Sequence, residues 1–214
     1  RIGFVPQQDE LLHSMNGWEH LALFKAYRQR WNQALVDKLI AEWLIPMDSY
    51  VSKMSIGQRQ KLSLLLALAH EPELLVLDEP VASLDPIARR QFLQQLVDIA
   101  ADENRAVIFS THIVSDVERV ANQVWILREG GLAYQGGLDE LKETFVRVTL
   151  ITENPLSEKI QWPNLLKQKS NGLQAQLTFE HWLPDMEEKL AQAFSAQVRV
   201  EYLSLEDIFL ELNQ

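Results

Sequence analysis

The chain has 214 residues, 47% of them hydrophobic and 23% charged, which suffices to bury a core and argues against intrinsic disorder. Lys and Arg number 20 against 30 Asp and Glu, and the resulting net charge of -10 works against nucleic acid or anionic lipid as a direct partner. With no cysteine, disulfides, thiolate metal sites and cysteine nucleophiles are excluded. No apolar run approaches the roughly 18 residues that a membrane-spanning helix needs.

Ile2–Val5 is a short apolar run closed by Pro6 and predicts a buried strand. Because Arg-Ile-Gly-Phe-Val reads as the interior of a strand, further chain is expected before Arg1. Asn16 is placed to cap a helix carrying Leu21, Leu23, Phe24, Tyr27 and Trp31, and a second helix carries Leu35, Leu39 and Trp43 until Pro46 breaks it. A third helix, Gln58–His70, is apolar on most faces and so is expected to be buried all round. Leu74–Leu77 is a continuous apolar run that stops at Asp78-Glu79-Pro80, as in a parallel sheet covered on both faces. Asp85-Pro86 opens a helix to about Ala100, and Ala106–Ser110 is the next strand, ending at Thr111-His112. A helix over Val114–Ala121, strands at Val124–Leu127 and Leu132–Tyr134, and a Gly130-Gly131 turn complete an α/β layered pattern. Beyond residue 144 the apolar positions alternate (Val146, Val148, Leu150; Leu173, Ala175, Leu177, Phe179; Val198, Val200, Tyr202), with helices at Pro184–Phe194 and after Ser204. This predicts a small α+β appendage.

The chemistry gathers at strand ends. Two adjacent carboxylates at the carboxyl end of a parallel strand lie where open α/β sheets bind ligands. Asp78 is suited to ligate Mg²⁺ directly or through water, and Glu79 to polarise an attacking water. One βα unit later, His112 is expected on the same rim, where a neutral imidazole can donate to a phosphate oxygen. Ser55 and Gly57 open the third helix, where unpaired N–H groups and the dipole end favour an anion; plain helix capping explains the same residues.

In this order the segments resemble the nucleotide-binding subunit of ABC transporters over residues 1–143. They are Gln7 after Ile-Gly-Phe-Val, Ser55-Ile-Gly57-Gln58, Leu-Leu-Val-Leu-Asp78-Glu79-Pro80, Ser83-Leu84-Asp85-Pro86 and Ser110-Thr111-His112. The resemblance implies an incomplete P-loop NTPase core with a parallel sheet and a helical subdomain over about residues 9–72, followed by an accessory α+β domain at 144–214. It implies a Q-loop role for Gln7 (Mg²⁺ and attacking water), a signature motif at Ser55, Gly57 and Gln58, and Walker B at Asp78 with catalytic Glu79. Asp85 falls in the D-loop, and His112 is the switch histidine. The cofactors implied are ATP and Mg²⁺. The partners are a second ATP-binding subunit, head to tail, and an integral membrane permease docked on the aromatic-rich helical lobe, which places the protein at the cytoplasmic face of the membrane. The segment Leu205-Glu-Asp-Ile-Phe-Leu looks like the tail of subunits that serve ABC-2 exporters.

Two departures qualify the likeness. Ile56 stands where the family mostly has glycine, leaving the Ser55 hydroxyl and the Gly57 amide for phosphate. None of the 8 glycines is followed by lysine, so no G-x-x-x-x-G-K-[ST] loop is present and this stretch alone is expected to be inactive. The alternative is a catalytically incompetent or regulatory subunit that lends its signature motif to a partner's ATP site, against which the intact Glu79 and His112 argue. Relatives in translation and DNA repair share the motifs but usually carry paired cassettes or coiled-coil insertions, absent here.

Overall fold

Three four-residue strands, β1 (Ile2–Val5), β2 (Leu74–Leu77) and β3 (Ala106–Phe109), form a parallel sheet in the order β1-β2-β3. The computed structural model describes residues 1–8, 10–156 and 159–213; the expected start of the helical subdomain, residue 9, lies outside the described residues. The strands are in register, with Val5 opposite Leu77 and Leu77 opposite Phe109. One face is buried through Val5, Leu75 and Leu77. The other face carries Ile2 (57% exposed), Phe4 (59%) and Ile108 (40%), so the expected cover on both faces is not found among the described residues.

Between β1 and β2 lies the helical lobe: α1 (Gly17–Ala26), α2 (Gln33–Trp43), a 3₁₀ turn (Val51–Lys53) and α3 (Ile56–Leu68). Asn16 caps α1 through a capping box with Glu19, and Asn32 caps α2. Tyr27 and Trp31 fall beyond α1, which ends at Ala26 because the chain must turn into the Asn32 cap; Tyr27 is 82% exposed. Trp43 is buried, whereas Trp18 is exposed and donates Nε1–H to Asp48. His20 is buried for structural reasons: its Nδ1–H donates to the Asn16 carbonyl and its Nε2 accepts the Leu12 N–H. Leu62, Leu64, Leu65, Leu66 and Leu68 make α3 the buried spine of the lobe, as its composition predicts. Gly3 lets that spine press on the sheet, since a Cβ there would stand 2.7 Å from the Ala67 carbonyl oxygen.

The chain divides into two packing units, Arg1–Asp116 and Val117–Gln214, a cut earlier than the 143/144 boundary read from the motifs. The physical reason is that β4 (Gln123–Arg128) and β5 (Gly131–Gly137) pair with each other and not with the parallel sheet. Their turn sits at Glu129 (φ 49°) and Gly130 (φ 78°), one residue before the expected Gly130-Gly131; two positive φ angles in a two-residue loop match the twist of a hairpin. In the first unit α4 (Pro86–Ala100) follows β2, and α5 (Val114–Val120) runs across the division.

The second unit continues with α6 (Leu138–Thr144), β6 (Val146–Ile151), β7 (Leu165–Asn171), β8 (Gln174–Phe179), α7 (Asp185–Phe194), β9 (Gln197–Tyr202) and α8 (Leu205–Asn213). Strands β6 to β9 form an antiparallel sheet in the order β7-β8-β6-β9. Val146, Val148, Leu150, Leu177 and Phe179 pack with Trp182 and Leu190 as its core. Glu211 of α8 accepts from Arg147 (3.0 Å) and Lys167 (3.2 Å). Burial opposes the charge, yet the two cations hold the carboxyl below the usual glutamate range.

His70, just past α3, is buried and donates Nε2–H to the Ile2 carbonyl at 3.2 Å, while its Nδ1 has no hydrogen-bond partner among the described residues. Burial, followed by the positive charge of Arg28, pushes its pKa below 6.5. The unfolded chain therefore takes up the proton more readily, so stability is full above pH 6.5 and is lost as the pH falls from there through the folded-state value. Urea unfolding between about pH 7.5 and 5.5 is expected to show this decline, and His70→Gln is expected to flatten it.

Candidate functional site

Because the three parallel strands end level, the residues after them arrive on one rim. Gln7 lies two residues beyond β1, Glu79 two beyond β2 and His112 three beyond β3. Asp78 keeps the sheet's hydrogen bonding, its N–H donating to the Val5 carbonyl at 2.9 Å, and Ser110 does the same to Leu77 at 2.9 Å.

Ser110 ties the rim together. Its hydroxyl donates to Asp78 Oδ1 at 2.6 Å and accepts the Glu79 backbone N–H at 2.9 Å. Glu79 Oε2 in turn accepts from His112 Nδ1–H at 3.0 Å. The Glu79 side chain is 18% exposed and the His112 ring 70%, so the carboxylate is sheltered and the imidazole reaches solvent. The expected trio of Asp78, Glu79 and His112 is thus joined on one edge. Ser110, part of the quoted motif but assigned no role from sequence, is the link; a hydroxyl directly after an apolar strand was the available signal.

Glu79 has φ 45°, the left-handed region that side chains other than glycine enter at a cost of about 1–3 kcal/mol. The turn that holds it there is anchored by fully buried Val81, with Ala82 N–H donating to the Glu79 carbonyl at 3.3 Å and Leu84 N–H to that of Val81 at 3.2 Å.

The remaining predicted residues form a second group at two helix N-termini. At α3 the Ser55 hydroxyl accepts the Gln58 N–H (3.2 Å) and Gln58 Oε1 accepts the Ser55 N–H (2.8 Å), a reciprocal capping box. At α4 one Asp85 carboxylate oxygen accepts from Ile87 N–H (2.9 Å) and Ala88 N–H (3.0 Å). The two starts are neighbours, since a Cβ on Gly57 would lie 3.7 Å from Leu84 and 4.0 Å from Ala88. Those are ordinary contacts, so nothing inside the chain requires glycine at position 57.

Among the described residues no three His, Asp or Glu side chains gather to cage a metal ion. The donor set suits Mg²⁺ that arrives with phosphates, because such ions take one or two carboxylates and complete their shell with phosphate oxygens and water. Asp78 is exposed, with Oδ1 oriented by Ser110, and fits that role; Gln7 is exposed two residues past β1.

A family model described as "AAA domain, putative AbiEii toxin, Type IV TA system" matches residues 49–115, the stretch carrying Ser55 through His112. The ABC transporter ATP-binding protein YhcH of Bacillus subtilis (strain 168) is 30% identical over 222 residues, covering 99% of this chain and 71% of the relative. YtrB, another ABC transporter ATP-binding protein of the same strain, is 25% identical over 164 residues, covering 77% and 56%. A solved structure titled "Structure of ATP binding subunit of ABC transporter" superposes with a TM-score of 0.57 at 28% identity, covering 66% of this chain and 61% of that one. The fold and these matches define an α/β protein with the fold of ABC ATP-binding subunits. The chain belongs to the ABC transporter ATP-binding protein family. It spans about half the length of two of the curated relatives it matches, 56% of YtrB and 53% of YdbJ.

The left-handed backbone at Glu79 yields a stability prediction. Glycine carries no Cβ penalty there, so Glu79→Gly is expected to raise the unfolding free energy by about 1 kcal/mol, read by urea denaturation, although it removes the carboxylate.

Proposed function

We propose that these residues belong to an ATP-hydrolysing subunit of an ABC-type exporter, in which two subunits meet head to tail and drive a membrane permease of the ABC-2 type. The observation that carries the reading is the chain of hydrogen bonds at the ends of the parallel strands, in which the Ser110 hydroxyl joins Asp78 to the Glu79 amide and the Glu79 carboxylate accepts from His112. Residues 1–143 are assigned to the ATPase part and 144–214 to an accessory part. The protein sits peripherally at the cytoplasmic face of the membrane, its helical lobe turned to the permease; exposed Trp18 and Tyr27 support docking there.

Each rim residue has a distinct task. Asp78, oriented by Ser110, holds Mg²⁺ directly or through water, and the Gln7 amide helps place ion and water. Mg²⁺ bound with ATP neutralises charge on the transferring phosphate. Glu79 accepts a proton from the attacking water as general base. His112 steadies the Glu79 carboxylate through Nδ1–H, and its exposed ring is free to turn toward a phosphate oxygen. The α3 start faces the second subunit's ATP: its first amides point outward, and Gly57, which no internal contact demands, leaves room for a phosphate to approach the backbone. Asp85, fixed by its capping bonds, lines the same face.

Two measurements test this reading. In the whole ATP-hydrolysing assembly, Glu79→Gln is expected to lower turnover on the order of 10²-fold or more while ATP binding persists and an ATP-bound dimer accumulates; substantial residual turnover would remove Glu79 from the role of base. A pure preparation of the 214 residues, which contain no G-x-x-x-x-G-K-[ST] loop, is expected to show no ATP hydrolysis above buffer, and measurable turnover would contradict the assignment.

A further inference from the structure

The two edges of the antiparallel sheet are built differently. At one, β7 shifts register between Leu165 and Lys167 and carries Lys167 and Lys169 along its length. A bulge and lysines are the usual devices that keep an edge strand from recruiting another. At the other, β9 (Gln197-Val-Arg-Val-Glu-Tyr202) runs in unbroken register along β6 with no bulge, lysine or proline. Among the described residues, β9 pairs with β6 alone.

We propose that the free edge of β9 is a self-association surface, at which a second copy of this chain adds its own β9 antiparallel about a two-fold axis at Val200. Two four-stranded sheets then become one continuous sheet, an isologous form of strand addition.

The charge pattern selects both occupant and register. Side chains alternate between faces, so Arg199 and Glu201 share one face and Val198, Val200 and Tyr202 the other. Two symmetric registers engage nearly the whole strand, one with its axis at Arg199 and one with it at Val200. An axis at Arg199 sets the two Arg199 side chains against each other. An axis at Val200 sets Arg199 opposite Glu201 of the second copy, twice, and lays Tyr202, 62% exposed in the single chain, over Val198 of that copy. Opposite charges directly across a strand pair stabilise it and like charges destabilise it, so the second register wins. Glu201 already lies 3.7 Å from Arg147 of its own sheet, and pairing places it between two guanidinium groups. Arg199 is exposed and has no ion-pair partner among the described residues, so association supplies its first.

Sedimentation of the 214-residue chain without nucleotide tests the proposal apart from any ATP-bridged dimer. A monomer–dimer equilibrium that tightens with protein concentration is expected. R199E and E201R each set like charges across both pairs and are expected to weaken association by about tenfold or more. Mixing the two variants restores opposite charges across both pairs and is expected to recover the dimer. A monomer at every concentration, unchanged association of R199E, or a mixture that associates no better than either variant alone would overturn the proposal. Circular dichroism establishes folding of each variant; if E201R unfolds on disturbing Arg147, R199E alone decides, because Arg199 has no ion pair to lose.

Discussion

The parallel register of three short strands is the constraint on which the rim depends. Backbone hydrogen bonds hold Val5, Leu77 and Phe109 abreast, so the first polar residues past each end have little choice of position. Ser110 converts that proximity into order, because one hydroxyl donates to the Asp78 carboxylate while accepting the Glu79 amide. A slip of one residue in any strand would turn its polar end to the wrong face and break this three-way arrangement.

The costs of the site are carried by its surroundings. Glu79 holds a backbone conformation suited to glycine, and buried Val81 together with two turn hydrogen bonds keeps it there. At the α3 and α4 starts, Ser55, Gln58 and Asp85 serve first as caps, satisfying amides that would otherwise lack partners. At α4 the cap is complete, since Pro86 has no N–H and Ile87 and Ala88 both bond to Asp85.

Much of this was legible in the residues, and the failures have physical causes. Unmixed apolar runs such as Leu74–Leu77 signalled buried strands, and Asn16, Ser55 and Asp85 signalled helix starts, because caps and buried runs are local chemistry. The strand β7 escaped notice because Leu165-Leu-Lys-Gln-Lys-Ser-Asn has no alternation, as expected of an edge strand half open to water. Helix α6 escaped because only Leu138 and Leu141 are buried in its seven residues. Tyr27 and Trp31 fit a helical stripe by spacing, but the Asn32 cap of the next helix forced the chain to turn first. The double bonding of Ser110 arises between segments about 31 residues apart in sequence, where no local pattern reaches.

The packed face of the parallel sheet also has a mechanical meaning. Leu75 and Leu77 are sealed, whereas Val76, their neighbour on the opposite face, is only half-buried between exposed Phe4 and Ile108. On the sealed face Gly3 admits the leucine-rich helix to within contact of the strands, and this packing supports the acidic rim. Trimming a methyl group among the leucines therefore loosens the platform under Asp78 and Glu79.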